Sequence, residues 1–102
     1  MRLSAKARKA EILAAAMGLA RERGFNRVLL TDVAKAAGCT HGLVLHYFHA
    51  VGQLHRAIMS EALHTGDAAI LAQGLAVGNP KALKAPDALK LRAAQHLLGA
   101  SA

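Results

Sequence analysis

Apolar residues recur every three or four positions along several stretches of this chain, which is the spacing of one face of an α-helix. The first stretch follows Ser4, a suitable helix cap, and ends before Gly24, as helices commonly do. Residues 78–80, Gly-Asn-Pro, predict a break in the C-terminal half. The further helices are predicted at about 30–36, 40–48, 51–65, 67–77 and 86–98.

The segment from Thr31 to Phe48 has the outline of a helix-turn-helix. A short apolar-periodic run is followed by a turn that contains Gly38, and a second run begins after Thr40. Thr40 is predicted to cap this third helix by accepting hydrogen bonds from the free N–H groups of its first turn.

The third helix is predicted to present two different sides. Val44 and Phe48, four residues apart, fix the side that faces the core. A rotation of about 100° per residue places Gly42 and His46 furthest from that side, with a leucine on each flank. A surface of this kind is not an ordinary polar one, and we expect it to contact a partner.

Composition predicts the fold class, and net charge indicates which kind of molecule the protein binds. Hydrophobic residues form 54% of the 102 residues, and β-branched and aromatic residues are few, so the chain is predicted to be all-α. Thirteen Lys and Arg against six Asp and Glu give a net charge of +7. Six of these seven net charges lie within residues 1–60. This indicates an anionic partner for the N-terminal half, the alternative being a basic surface that contacts only solvent.

The sequence also indicates the cellular compartment of the protein. Its single cysteine, Cys39, excludes an internal disulfide and fits a reducing cytoplasm. No apolar run reaches the roughly 18 residues of a membrane span. The basic N-terminus lacks the apolar core of a secretory signal. We therefore expect a cytoplasmic protein with no membrane partner.

Three segments within residues 12–58, ILAAAMGLARERGF, LTDVAKAAGCTHGLVLHYF and QLHRAI, resemble the N-terminal DNA-binding domain of TetR-type bacterial repressors. The resemblance is carried by Gly24 and Phe25, by the turn at Gly38 and by Phe48. It implies a three-helix helix-turn-helix domain of TetR or homeodomain-like type, followed here by two or three C-terminal helices. It also implies a homodimer that binds a palindromic double-stranded DNA operator, with the third helix in the major groove. A bacterial, nucleoid-associated location is implied with it.

On this basis we divide the chain into three parts: a basic arm at residues 1–9, the helix-turn-helix domain at 10–65 and a short helical dimerisation segment at 66–102. The last part is too short for the family's usual inducer-binding domain. We therefore expect a constitutive repressor with no small-molecule ligand, of the compact kind that a plasmid or phage encodes.

The resemblance also assigns roles to individual residues, each of which has surface or partial-core placement as its alternative. The candidates for base contacts are Thr40, His41, Gly42, Leu43 and His46. The candidates for phosphate contacts are Thr31, Tyr47, Arg27, Lys35, Lys6, Arg8 and Lys9. The candidates for the dimer interface are Leu89, Ala93, Leu97 and Leu98.

Some positions depart from the family's pattern. The family usually has Thr where this chain has Leu29 and Leu30, Tyr where it has Leu45, and Lys where it has Val51. The third helix has no Arg or Lys, so the common bidentate contact of Arg with guanine is not available from it. Readout is then expected from hydrogen bonds of His41, His46, Thr40 and Tyr47, and from apolar contact of Leu43 with thymine methyls.

Other functions have less support from the sequence than DNA binding does. Six histidines include the pair His46 and His49, but a zinc site needs three or four convergent ligands, so we expect no metal and no cofactor. A Cys39–His41 pair lacks an orienting third group, so we do not expect an enzyme. Two alternatives remain: a truncated TetR-like protein that heterodimerises with and modulates a full-length regulator, and a basic amphipathic protein on a membrane surface.

Overall fold

The computed structural model of the chain describes residues 4–101, with side chains from 4 to 99. All the regular elements within this range are helical, which confirms the all-α prediction. A short 3₁₀ turn at Phe25–Arg27 follows the first helix. The α-helices are α1 (Ala5–Arg23), α2 (Leu30–Ala37), α3 (His41–Phe48), α4 (Val51–Thr65), α5 (Ala68–Ala76), α6 (Pro80–Leu83) and α7 (Asp87–Ser101).

The start of α1 is fixed by Ser4. Its hydroxyl oxygen accepts a hydrogen bond from the N–H of Ala7 at 3.1 Å, which caps the helix at the predicted residue. Residues 5–9 of the predicted basic arm are consequently the first turns of α1. Residues 1–3 of that arm, with Arg2, lie outside the described residues.

The turn between α2 and α3 depends on Gly38, which has the left-handed backbone angles φ 67° and ψ 37°. This conformation costs glycine little because it has no Cβ atom. The next residue, Cys39, donates its N–H to the carbonyl of Ala34 at 3.0 Å and so closes the end of α2. The chain can then enter α3 two residues later.

The chain divides into two compact units, the first ending at Ile58 and the second beginning at Met59. The boundary between these units lies within α4. Met59 and Ala62 are buried and belong to the second unit, so the last two turns of α4 contribute to its core. The core of the first unit contains Ile12, Ala16, Met17, Ala20, Phe25, Val28, Val33, Ala34, Val44, Phe48, Leu54 and Ile58.

The second unit contains a helix that the sequence analysis did not predict. Gly78, Asn79 and Pro80 predicted only a break, but α6 begins at Pro80. The side-chain oxygen of Asn79 accepts hydrogen bonds from the N–H groups of Lys81 at 3.0 Å and Ala82 at 3.2 Å. Proline has no N–H to leave unbonded in a first turn, so the same residues that end α5 start another helix.

Gly74 lies at a close contact between helices of this unit. A Cβ atom added there would lie 2.6 Å from Cε of Met59 and 2.8 Å from Cβ of Ala82. Although glycine weakens a helix, at this position it lets α5 pack against α6 and the end of α4 without a clash.

Candidate nucleic-acid interface

The two sides of α3 are placed as the helical spacing predicted. Val44 is fully buried and Phe48 is 3% exposed, so both lie in the core of the first unit. Gly42 and His46, on the opposite side, are exposed. The core contacts therefore fix the orientation of α3 and leave its other side available to a partner.

The N-terminus of α3 is fixed by Thr40. Its Oγ1 accepts a hydrogen bond from the N–H of Leu43 at 3.1 Å, as a helix cap does. Thr40 is exposed and its hydroxyl proton is not used by this bond. It can therefore cap α3 and still donate to a partner.

The two histidines of α3 differ in their surroundings. His41 is exposed at the first position of the helix. The ring of His46 is also exposed and makes an edge-on contact with the half-buried ring of Tyr47, with centroids 5.1 Å apart at 73°. Tyr47 thus restricts the orientation of the His46 imidazole.

Several of the predicted phosphate contacts are exposed around α3. Thr31 and Lys35, four residues apart, are exposed on the same face of α2, one turn from each other. Arg27 is exposed at the end of the 3₁₀ turn. These side chains come from the two elements that precede α3 in the chain.

The basic start of α1 brings a cation to the other end of α3. Nζ of Lys9 lies 5.6 Å from the centroid of the Phe48 ring, a distance at which an ammonium is attracted to the face of an aromatic ring. Phe48 is the last residue of α3, where a positive charge is also favourable to the helix dipole. Lys6 is exposed, and Arg8 is half-buried.

Residues 12–58, which contain all of α2 and α3, match the N-terminal domain profile of bacterial regulatory proteins of the tetR family. Residues 12–58 are a tetR-type helix-turn-helix domain. No curated protein and no solved structure matched it. The resemblance read from the sequence is confirmed over the same residues.

Two contacts that hold the tetR-type domain together were missed by the sequence analysis. Nη1 of Arg23 in α1 lies 2.9 Å from Oδ2 of Asp32 in α2, an ion pair that joins the two helices. Nε2 of His55 in α4 lies 2.8 Å from the carbonyl oxygen of Val28. Neither pair lies three or four residues apart, so helical spacing gave no signal for them.

The residues predicted for a dimer interface are not placed together. Leu89 is 6% exposed and Ala93 is fully buried, so both fill the core of their own chain, where α7 packs against α5. Leu97 is 41% exposed beside that buried side of α7, and Leu98 is 72% exposed on the opposite side. Leu89 and Ala93 are therefore covered within the chain, and of the four predicted interface residues Leu97 and Leu98 are exposed.

The described residues contain no group of three or more His, Cys, Asp or Glu side chains that could hold a metal ion. Among the helices within residues 4–101, none is long and apolar enough to span a membrane.

Proposed function

We propose that this protein is a sequence-specific transcriptional repressor that binds a palindromic operator as a homodimer. The observation that carries the proposal is the exposed, uncharged side of α3 on a tetR-type domain that lies within residues 1–60, which hold six of the seven net positive charges. A helix of this size fits the major groove of B-DNA.

The charges around α3 supply the attraction that does not depend on DNA sequence. Cationic side chains release counterions from the phosphates, and this term accounts for most non-specific affinity. Arg27 and Lys35 are exposed on the elements before α3, and Lys9 lies at its far end. They are suited to contact the DNA backbone while the side chains of α3 contact base edges.

A homodimer is supported by the exposed side of α7. Leu91 is 61% exposed and Leu98 is 72% exposed, seven residues apart, with exposed Ala94 between them. Positions i, i+3 and i+7 lie along one face of a helix, so these three form a continuous apolar strip. We propose this strip, in place of Leu89 and Ala93, as the surface that pairs with a second copy.

A dimer of two identical copies would bind an operator that has the same two-fold symmetry. Each α3 would contact one half-site, and the two half-sites would lie about one helical turn of DNA, or a multiple of it, apart. Occupation of such a site over a promoter blocks transcription, so repression in the bacterial nucleoid is the proposed outcome. That no small-molecule inducer takes part stays a prediction.

Selection of bound DNA from a random pool tests this function. We expect an inverted repeat, and a mobility shift on it at moderate salt that unrelated DNA of equal length does not compete. A reporter gene behind this repeat should then be transcribed less when the protein is present. Recovery of no preferred sequence would contradict the proposal.

The same strip on α7 favours a second candidate, a protein that pairs with a full-length tetR-type regulator and modulates it. In that case no DNA sequence is selected by this chain alone. Instead, adding it to such a regulator would produce a mixed dimer and change the regulator's own mobility shift.

A further inference from the structure

The exposed part of α3 combines histidine with leucine and carries no cation. Leu43 is half-buried and Leu45 is 36% exposed, and they lie on opposite flanks of the side that bears Gly42 and His46. The major groove is about 12 Å wide and a helix with its side chains is about 10–12 Å across. A helix that enters the groove therefore brings its flanks, as well as its outermost side, against the DNA.

The backbone of α3 is able to approach closely. A Cβ atom added at Gly42 would have only Oγ1 of Thr40 near it, at 4.0 Å, so no neighbouring side chain fills the space beside this glycine. A deeper position in the groove shortens the distance from both flanking leucines to the base edges.

Polar groups for reading bases are few on this helix. Thr40 accepts the capping hydrogen bond and keeps its hydroxyl proton for a partner, and Tyr47 is half-buried with its ring edge-on to His46. Within α3, the exposed side chains with polar groups are the imidazoles of His41 and His46. Three polar side chains distinguish few base pairs, so the leucines must contribute to selection if α3 reads a half-site.

Leucine has one kind of matching partner in the major groove. The base edges there present nitrogen and oxygen donors and acceptors, apart from the C5-methyl group of thymine. A leucine placed against a donor or acceptor would remove it from water without replacing its hydrogen bond, which is unfavourable. A leucine placed against a methyl group removes apolar surface from water on both sides, which is favourable.

We infer that α3 selects its half-site by the C5-methyl groups of pyrimidines, which pack against Leu43 and Leu45. The inference rests on the proposed function and defines its DNA target: thymines at the flanks of each half-site. 5-Methylcytosine carries the same methyl group at the same ring position. Methylation of a cytosine at a flank position should therefore strengthen binding.

The first test changes only the DNA and uses the unmodified protein. In the selected operator, each thymine is replaced in turn by deoxyuridine, which keeps the base pair and removes the methyl group. We expect affinity to fall about fourfold at each contacted thymine, which corresponds to ~0.8 kcal/mol for one buried methyl group. At the same positions, a pair with 5-methylcytosine should bind about fourfold more tightly than one with cytosine, which separates the methyl group from the rest of thymine.

The second test identifies the side chains. In Leu43→Ala and Leu45→Ala, the ratio of affinities for thymine and deoxyuridine should fall to about one at the position that each leucine contacts. Leu83→Ala is the matched control: Leu83 is 50% exposed on α6, and its removal should leave the ratio unchanged. Circular dichroism confirms that each variant keeps its helices.

Two results would overturn the inference while leaving the repressor proposal in place. One is an operator whose affinity changes by less than twofold at every deoxyuridine substitution. The other is a deoxyuridine effect that remains the same in both leucine variants. If the random pool gives no preferred sequence, the repressor proposal and this inference both fail.

Discussion

His55 of α4 donates its Nε2 proton to the backbone carbonyl oxygen of Val28, over a distance of 2.8 Å. The direction of this bond is fixed because a carbonyl oxygen only accepts. The imidazole also meets Phe25 edge-on, with ring centroids 6.4 Å apart at 82°. One side chain thus holds the connector between α1 and α2 against the first turns of α4, and with it the start of the helix-turn-helix.

Replacement of His55 by Ala should destabilise the protein. The carbonyl of Val28 would lose its side-chain partner and Phe25 would lose an aromatic contact, for a cost of about 1–3 kcal/mol. Urea unfolding followed by circular dichroism measures the change. His64→Ala, at an exposed position near the end of α4, should change stability by less than about 0.5 kcal/mol. Equal losses in both variants would show that the bond to Val28 does not stabilise the fold.

Two glycine-to-alanine substitutions should act in opposite directions. Gly74→Ala brings a Cβ atom to 2.6 Å from Met59 and 2.8 Å from Ala82, and this overpacking should cost about 1–3 kcal/mol. Gly18→Ala, inside α1, has nothing within 4 Å of the added Cβ. The better helix propensity of alanine should then stabilise the protein by up to about 1 kcal/mol. Thermal unfolding compares the two, and a stabilised Gly74→Ala would contradict the close packing of α5.

His46→Ala should reduce selectivity for DNA more than affinity. We expect the loss of specific binding to be about 1–3 kcal/mol for each half-site, with non-specific binding nearly unchanged, because the imidazole would contact a base and not a phosphate. Titration of the selected operator and of random DNA by fluorescence anisotropy gives both values. A loss of the same size on both DNAs would exclude a base-reading role for His46.

Lys35→Gln should weaken binding to all DNA sequences alike. If each Lys35 neutralises one phosphate, the slope of log K against log salt becomes shallower by about 0.9 per chain, and by about twice that for a dimer. Lys84→Gln removes the same charge from an exposed position at the end of α6. The salt slopes of the two variants should differ, and identical slopes would mean that Lys35 acts only through net charge.

If the strip on α7 pairs two copies as proposed, Leu91→Glu combined with Leu98→Glu should convert the dimer into monomers, because two charged strips would then face each other. Light scattering measures the mass, and affinity for the palindrome should fall toward that for a single half-site. Leu83→Glu provides a control with one charge added at another exposed leucine. A doubly substituted protein that remains dimeric would place the interface on another surface.

The parts of the fold that follow from local rules could be predicted from the sequence. Ser4 and Thr40 cap α1 and α3 because a hydroxyl at that position reaches an N–H three residues on. Val44 and Phe48 fix the buried side of α3 because helical spacing alone decides which residues share a face. The exposed side that bears His46 follows from the same geometry.

Contacts between distant residues could not be predicted in this way. The bond between His55 and Val28 joins residues 27 apart in the chain. The spacing of an apolar stripe predicts that the stripe is covered, but it does not predict by which element. Leu89 and Ala93 were assigned to a second copy, whereas both are buried within the chain, on a helix that contacts α5. At Asn79 and Pro80, the same residues serve as a turn or as a helix start, and local sequence does not decide between them.

The absence of Lys and Arg from α3 has a consequence for how this regulator can change its target. Under the proposed function, the cations that attach the protein to DNA and the side chains that select its sequence lie on different helices, so either property could be altered without the other. Exchange of residues 41–46 for those of another tetR-type protein, with Val44 retained for the core, should retarget the chain while its dependence on salt stays the same. New operators would then be accessible through very few substitutions.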